Sequence, residues 1–152
     1  MTPERANEAR VLLVEDNPHD VRLAREAIVE ADSSMELDVV TDGVAAIDYL
    51  YTRGEYADAM TPAFVLLDYN IPKRNGAEVL AAVKSDDILR RIPITIFTTS
   101  DSKDDVVRMY DLHANAYVTK PETVEQFVSI IEHLESFWLS TVTLPPVAQH
   151  ER

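Results

Sequence analysis

Phe64-Val65-Leu66-Leu67-Asp68 sets four apolar residues in a row against a single aspartate. A short apolar run bounded by turn signals reads as a strand buried on both faces, the kind found inside a parallel sheet. Such a strand delivers Asp68 to the carboxyl edge of the sheet. Beyond it, Tyr69-Asn70-Ile71-Pro72 cannot continue as regular structure, because Pro72 has no N–H and disfavours the helical region at Ile71. Asp68 therefore stands where a strand gives way to a loop, and in open α/β sheets ligands bind at that edge. An aspartate there also serves as a simple loop cap, so the rest of the chain has to decide between the two.

The pattern recurs. Arg10-Val11-Leu12-Leu13-Val14-Glu15-Asp16 is an apolar run ending on two acids, and Pro93-Ile94-Thr95-Ile96-Phe97-Thr98 is a β-branched run ending in the hydroxyls Thr98-Thr99-Ser100. Ala114 to Thr119 gives a short last strand, stopped by Lys120-Pro121, and Leu37-Asp38-Val39-Val40 reads as an edge strand. Helical spacing fills the gaps: Val21, Leu23, Ala24, Ala27, Ile28 and Ala31 behind Pro18 with Asn17 as cap, then Val44, Ile47, Leu50 and Tyr51. Further helices are predicted over Glu78 to Lys84, Asp101 to Leu112 and, longest, Glu122 to about Leu139. Five strands alternating with five helices predict a doubly wound five-stranded parallel sheet of the α/β class with right-handed crossovers. One domain is expected over residues 10–139, with an extended C-terminal helix, and the termini at 1–9 and 140–152, including Leu144-Pro145-Pro146, are expected to be flexible.

Composition narrows the function. The chain has 152 residues, 46% of them apolar, which is room for one core. No apolar run approaches the roughly 20 residues that span a bilayer, and residues 1–10 do not resemble a signal peptide, so no membrane partner and a cytoplasmic location are expected. With no cysteine, disulfides, thiolate metal sites and cysteine nucleophiles are excluded together. A net charge of -13 argues against nucleic acid as a partner. The 14 basic residues divide into 4 Lys and 10 Arg, an acidic, lysine-poor balance of the kind that suits a high-salt cytoplasm.

If the sheet is parallel, Glu15-Asp16, Asp68, Thr98 and Lys120 share one rim. Close carboxylates repel by roughly 4 kcal/mol per pair at an effective dielectric near 20, so the cluster calls for cations. Lys120 is one, and a set of oxygen ligands without His or Cys points to Mg2+ as the other. Magnesium favours sites shared with phosphate oxygens, so the rim also predicts a phosphoryl group. Asp68, alone at the end of the central strand and ionised at neutral pH, is the candidate nucleophile, since phosphoryl transfer asks mainly for positioning and charge neutralisation. Thr98 offers a hydroxyl to the new phosphate oxygens.

VLLVEDNP, FVLLDYNIPKRNG, ITIFTTS and AYVTKP, in this order and spacing, resemble the receiver domain of two-component response regulators from about Arg10 to Phe137. The resemblance implies a flavodoxin-like strand order of 2-1-3-4-5, Asp68 as phosphorylation site, Asp16 as a direct metal ligand with Glu15 beside it, and the Asn70 carbonyl as a further ligand. It also implies Thr98 and Lys120 as the phosphate-sensing pair and Tyr117 as the switching aromatic. The family's usual Asp-Gly after the phosphorylation loop is Asn75-Gly76 here. YDLHANAYVTKP and FWLSTVTLP further resemble the single-domain regulators that partner phytochrome-like histidine kinases, so a sensor histidine kinase is the expected partner. Within that stretch His113 reads as a packed structural histidine rather than a phosphodonor.

Other classes fit less well. An aspartyl-phosphate phosphatase of the haloacid dehalogenase class needs a second Asp two residues past the nucleophile, where this chain has Asn70, so no enzyme beyond intrinsic phosphotransfer and self-dephosphorylation is expected. A receiver fold that takes no phosphate conflicts with intact Asp68, Asp16, Thr98 and Lys120, and flavin binding lacks a Gly-rich cradle in a chain with 3 glycines. On the last helix Val124, Phe127, Ile131, Leu134 and Trp138 form one stripe, which leaves Ile130 and Phe137 on a flank. Those two predict a homodimer through the last helix and strand.

Overall fold

A computed structural model describes residues 10–146; the expectations for 1–9 and 147–152 lie outside the described residues. The strands are β1 (Arg10–Val14), β2 (Glu36–Val40), β3 (Phe64–Leu67), β4 (Ile94–Thr98) and β5 (Ala116–Thr119). The helices are α1 (Pro18–Glu30), α2 (Gly43–Leu50), α3 (Gly76–Lys84), α4 (Lys103–Asp111) and α5 (Val124–Leu134). All strand pairs are parallel and the order is β2-β1-β3-β4-β5, which makes β2 an edge and β3 the centre. This is the flavodoxin-like order.

Alternation along the strands divides the core in two. Leu12, Val14, Val65, Leu67, Ile94 and Ile96 face α2, α3 and Met109 of α4. Val11, Leu13, Phe64, Leu66 and Phe97 face Ala24 and Ala27 of α1 and Phe127, Ile131 and Leu134 of α5. All four residues of β3 are buried, as a central strand covered on both faces requires.

Local chemistry sets the helix starts. Asn17 caps α1, with Pro18 in the first turn. Asn75, at the family's Asp position, caps α3 in a reciprocal capping box with Glu78. Because α2 begins at Gly43, Val44 lies in its first turn and stays 42% exposed, while Ala46, Ile47, Tyr49 and Leu50 take the buried face. His113 is exposed with φ 73, which corrects the expectation of a packed histidine. It ends α4 in the left-handed region, its N–H and that of Ala114 returning to Tyr110 and Met109.

The carboxyl end departs from the predicted single helix. After Leu134 the chain winds as a π-helix from Glu135 to Thr141. Packing offsets the poorer winding: Trp138 stacks on Phe64 at 6.1 Å, Leu139 and Leu144 join the same core, and Ser33 donates to the Glu135 carboxylate. Leu144 is therefore packed rather than loose. Ile130 also packs against that core, so only Phe137 of the predicted flank stands out, 50% exposed. Among the described residues no helix is long and apolar enough to cross a membrane.

Candidate functional site

The ladder continues one residue past β1, β3 and β5 at the site rim. The Asp68 N–H donates to Val14 O at 3.1 Å, Glu15 N–H to Val40 O at 3.0 Å, and Lys120 N–H to Thr98 O at 2.8 Å. Backbone pairing thus fixes the Cα positions of Glu15, Asp68 and Lys120 before their side chains interact. The loop after Asp68 is clasped at two points, Gly43 N–H to Pro72 O at 3.2 Å and Gly76 N–H to Tyr69 O at 2.8 Å.

Carboxylate oxygens of Glu15, Asp16 and Asp68 lie within 4.8 Å of one another, the first and last buried and Asp16 exposed. The Lys120 ammonium sits against Glu15, Asp68 at 3.0 Å and Asp20 at 2.9 Å, with 7% of its side chain exposed. Burial pushes the Glu15 carboxyl up to about 7; the Lys120 hydrogen bond opposes this and the Asp68 charge adds to it. Burial works against the charge on Lys120, but its hydrogen bonds to Glu15, Asp20 and Asp68 outweigh it and hold the ammonium above the ordinary lysine range. One positive charge serves four carboxylates here, a donor set of hard oxygens that suits a divalent cation.

Thr98 is fully buried and its hydroxyl has no hydrogen-bond partner. An unmet buried hydroxyl costs about 1–3 kcal/mol, which an incoming oxygen ligand would relieve. The Thr95 hydroxyl is also unmet, but lies three residues back along β4, away from the rim. Asn70 is exposed and its N–H donates to Asp68 Oδ1 at 3.3 Å. The partly buried Tyr117 donates its hydroxyl to Ser100 O at 2.8 Å, and Ser100 donates to Asp105 in the first turn of α4 at 2.5 Å. Burial pushes the Tyr117 phenol up, against the Ser100 hydrogen bond.

The structure therefore brings Glu15, Asp16, Asp68, Thr98 and Lys120 to one rim, with Asn70 beside Asp68 and Tyr117 tied to the β4–α4 loop. Two participants were not read from the sequence. Asp20 completes the lysine's shell, and Arg108 of α4 donates to the Tyr69 hydroxyl at 2.6 Å, linking the residue after Asp68 to α4. An acid in a first turn is too common to stand out; the spacing of Asp16 and Asp20 was the available signal. An apolar hollow lined by Pro62, Ile92, Pro93 and Pro145 lies at the opposite, amino-terminal rim.

Residues 11–132 match the model of the response regulator receiver domain, and this chain belongs to that family. Its members act by phosphorylation-driven signalling. Response regulator Rcp1 of Synechocystis sp. is 44% identical over 135 residues, covering 89% of this chain and 92% of Rcp1. The structure is similar to that of the phosphorylated cyanobacterial phytochrome response regulator RcpA, with a TM-score of 0.84 and 46% identity over 91% of this chain and 99% of that one. It is also similar to Mn2+-bound Rcp1, with a TM-score of 0.80 and 43% identity over 90% of this chain and 98% of that one.

Proposed function

We propose that this chain is a cytoplasmic switch that accepts a phosphoryl group on Asp68 from a sensor histidine kinase of the phytochrome-like class and passes the signal on through protein contacts. One observation carries the reading: Asp68 stands at the end of the central strand, its side chain only 7% exposed and ion-paired to buried Lys120. In the transfer, an Asp68 carboxylate oxygen bonds to phosphorus while the P–N bond of a phosphohistidine breaks and the imidazole nitrogen keeps the electron pair. Glu15, Asp16 and Asp68, with the Asn70 carbonyl, are the residues to hold Mg2+, whose charge would neutralise the phosphoryl oxygens. Lys120 supplies a further positive charge, and Thr98 a hydroxyl that turns to a phosphate oxygen. Tyr117, hydrogen-bonded to the β4–α4 loop, would sense that turn. The likeness to phosphorylated RcpA and Mn2+-bound Rcp1 supports this reading.

Wild-type protein treated with acetyl phosphate and MgCl2 is expected to gain the mass of one phosphoryl group, and to gain none when EDTA replaces the magnesium. Loading that proceeds equally well in EDTA would remove the metal from the proposal, and no loading at all would remove the acceptor.

Homodimerisation through the last helix and strand is the second part of the proposal, favoured by Phe137. That ring stands 50% exposed in edge contact with Trp138 at 5.1 Å, a large apolar surface in the first part of the π-helix. Phe137→Glu is expected to sediment as a monomer at micromolar concentration while its Asp68 still loads. A wild type that is monomeric with and without phosphate would assign this surface to a different partner.

A further inference from the structure

Lys120 has three N–H bonds and three carboxylates to receive them: Glu15, Asp20 and Asp68. Two of these carboxylates have other work under the proposed function. Glu15 and Asp68 belong to the acidic trio sized for a cation, and Asp68 is also the nucleophile. Asp20 lies outside that trio and comes from a helix rather than a strand end. Its placement is set independently, because the Asn17 carboxamide accepts from His19 N–H at 2.9 Å and Asp20 N–H at 3.4 Å, with Pro18 in the same turn. The Lys120 backbone is fixed from the other side by its N–H bond to Thr98 O. Between that fixed backbone and its ammonium runs a flexible four-carbon stem, which a single anchor at each end holds to one path.

We infer that Asp20 is a positioning residue that keeps the Lys120 ammonium facing Asp68 once metal and phosphoryl group engage Glu15 and Asp68. This rests on the reading of Asp68 as phosphoacceptor. A cation drawing on Glu15 frees one N–H of the lysine. Bonding of Asp68 to phosphorus turns a carboxylate into a mixed anhydride, a weaker acceptor, and frees a second. The two released N–H groups are then available to phosphoryl oxygens, provided the ammonium stays where it is. The Asp20 contact is the one that neither event disturbs. Lysine alone, on its flexible stem, would turn out to water at the moment its charge is needed.

The test measures the rate of phosphoryl incorporation by intact mass across a series of acetyl phosphate concentrations in saturating MgCl2, for the wild type, Asp20→Ala, Asp20→Asn, Lys120→Ala and the Asp20→Ala/Lys120→Ala pair. Asp20→Ala is expected to lower the saturating rate about tenfold, the scale of a displaced charge at a transferring group, while half-saturation by donor moves less than about twofold. Asp20→Asn keeps an acceptor oxygen at the same reach and is expected to recover most of that loss. In the Lys120→Ala background, Asp20→Ala is expected to change the rate by less than about twofold, because the residue acts through the lysine. An Asp20→Ala rate equal to wild type, or a tenfold loss that persists without Lys120, would overturn the inference. A wild type that gains no phosphoryl mass would overturn the acceptor reading itself, and this inference with it.

Discussion

Asp68→Asn protein is expected to gain no phosphoryl mass under conditions that load the wild type completely. The substitution is nearly isosteric, so the fold has little reason to change: the backbone N–H of residue 68 still bonds Val14 O, and Lys120 keeps Glu15 and Asp20. What is lost is chemical. A carboxamide oxygen carries no charge, is a poor nucleophile toward phosphorus and contributes no charge to a metal site whose affinity follows charge count. Asp16→Asn separates these effects. It removes a ligand charge from the exposed side of the trio and leaves the nucleophile intact. Its Mg2+ affinity, measured by calorimetry, is expected to fall about tenfold or more, with loading restored by higher magnesium. Glu15→Gln is expected to weaken binding less. Phosphoryl mass that persists in Asp68→Asn, or Asp16→Asn binding Mg2+ as tightly as the wild type, would break the assignment of these residues.

Much of this site was legible because a parallel sheet converts sequence position into spatial position. Once β1, β3, β4 and β5 are recognised as buried parallel strands, the residues that follow them must share a rim, whatever the helices between them do. Glu15, Asp68, Thr98 and Lys120 are legible that way, and the registers Val14 with Leu67 and Thr98 with Thr119 align their strand ends. Side chains that enter the site from helices carry no such marker. Asp20 reads from the sequence as an acid favouring a helix start, and only its 2.9 Å approach to Lys120 distinguishes it. The winding of the carboxyl end is hidden in the sequence for a related reason. Helical periodicity continues past Leu134 to about Leu139, so the change to π winding from Glu135 to Thr141 is decided by where Trp138 and Leu139 find the core rather than by any local signal. On an ideal helix the angle of Ile130 puts it on an exposed flank, yet it packs against the same core as Trp138 and Leu144.

The three glycines of the chain make a graded prediction about the loop that carries the chemistry. In or near a helix, Gly to Ala ordinarily stabilises by roughly 0.5–1 kcal/mol. Gly43→Ala is expected to do the reverse, lowering stability by about 2–4 kcal/mol. A Cβ at residue 43 would stand 2.0 Å from Arg74 O and 2.7 Å from the Arg74 carbonyl carbon, which are backbone atoms that cannot swing aside. Relieving the clash means separating α2 from the loop, which breaks the Gly43 N–H bond to Pro72 and loosens Ile71 from the core. Gly76→Ala meets Asp68 O at 2.5 Å and the Tyr69 Cα at 2.7 Å, so its cost of about 1–3 kcal/mol falls on the clasp beside the phosphoacceptor and is expected to slow loading as well. Gly54 has φ +56 and nothing within 4 Å of its would-be Cβ, so Gly54→Ala costs only left-handed strain, about 1 kcal/mol. Urea midpoints of the three variants should fall in the order Gly43, Gly76, Gly54, with Gly43→Ala lowest. If Gly43→Ala matches or exceeds the wild type, the loop is not pinned against α2, and its shape depends on something other than the close approach of these two backbones.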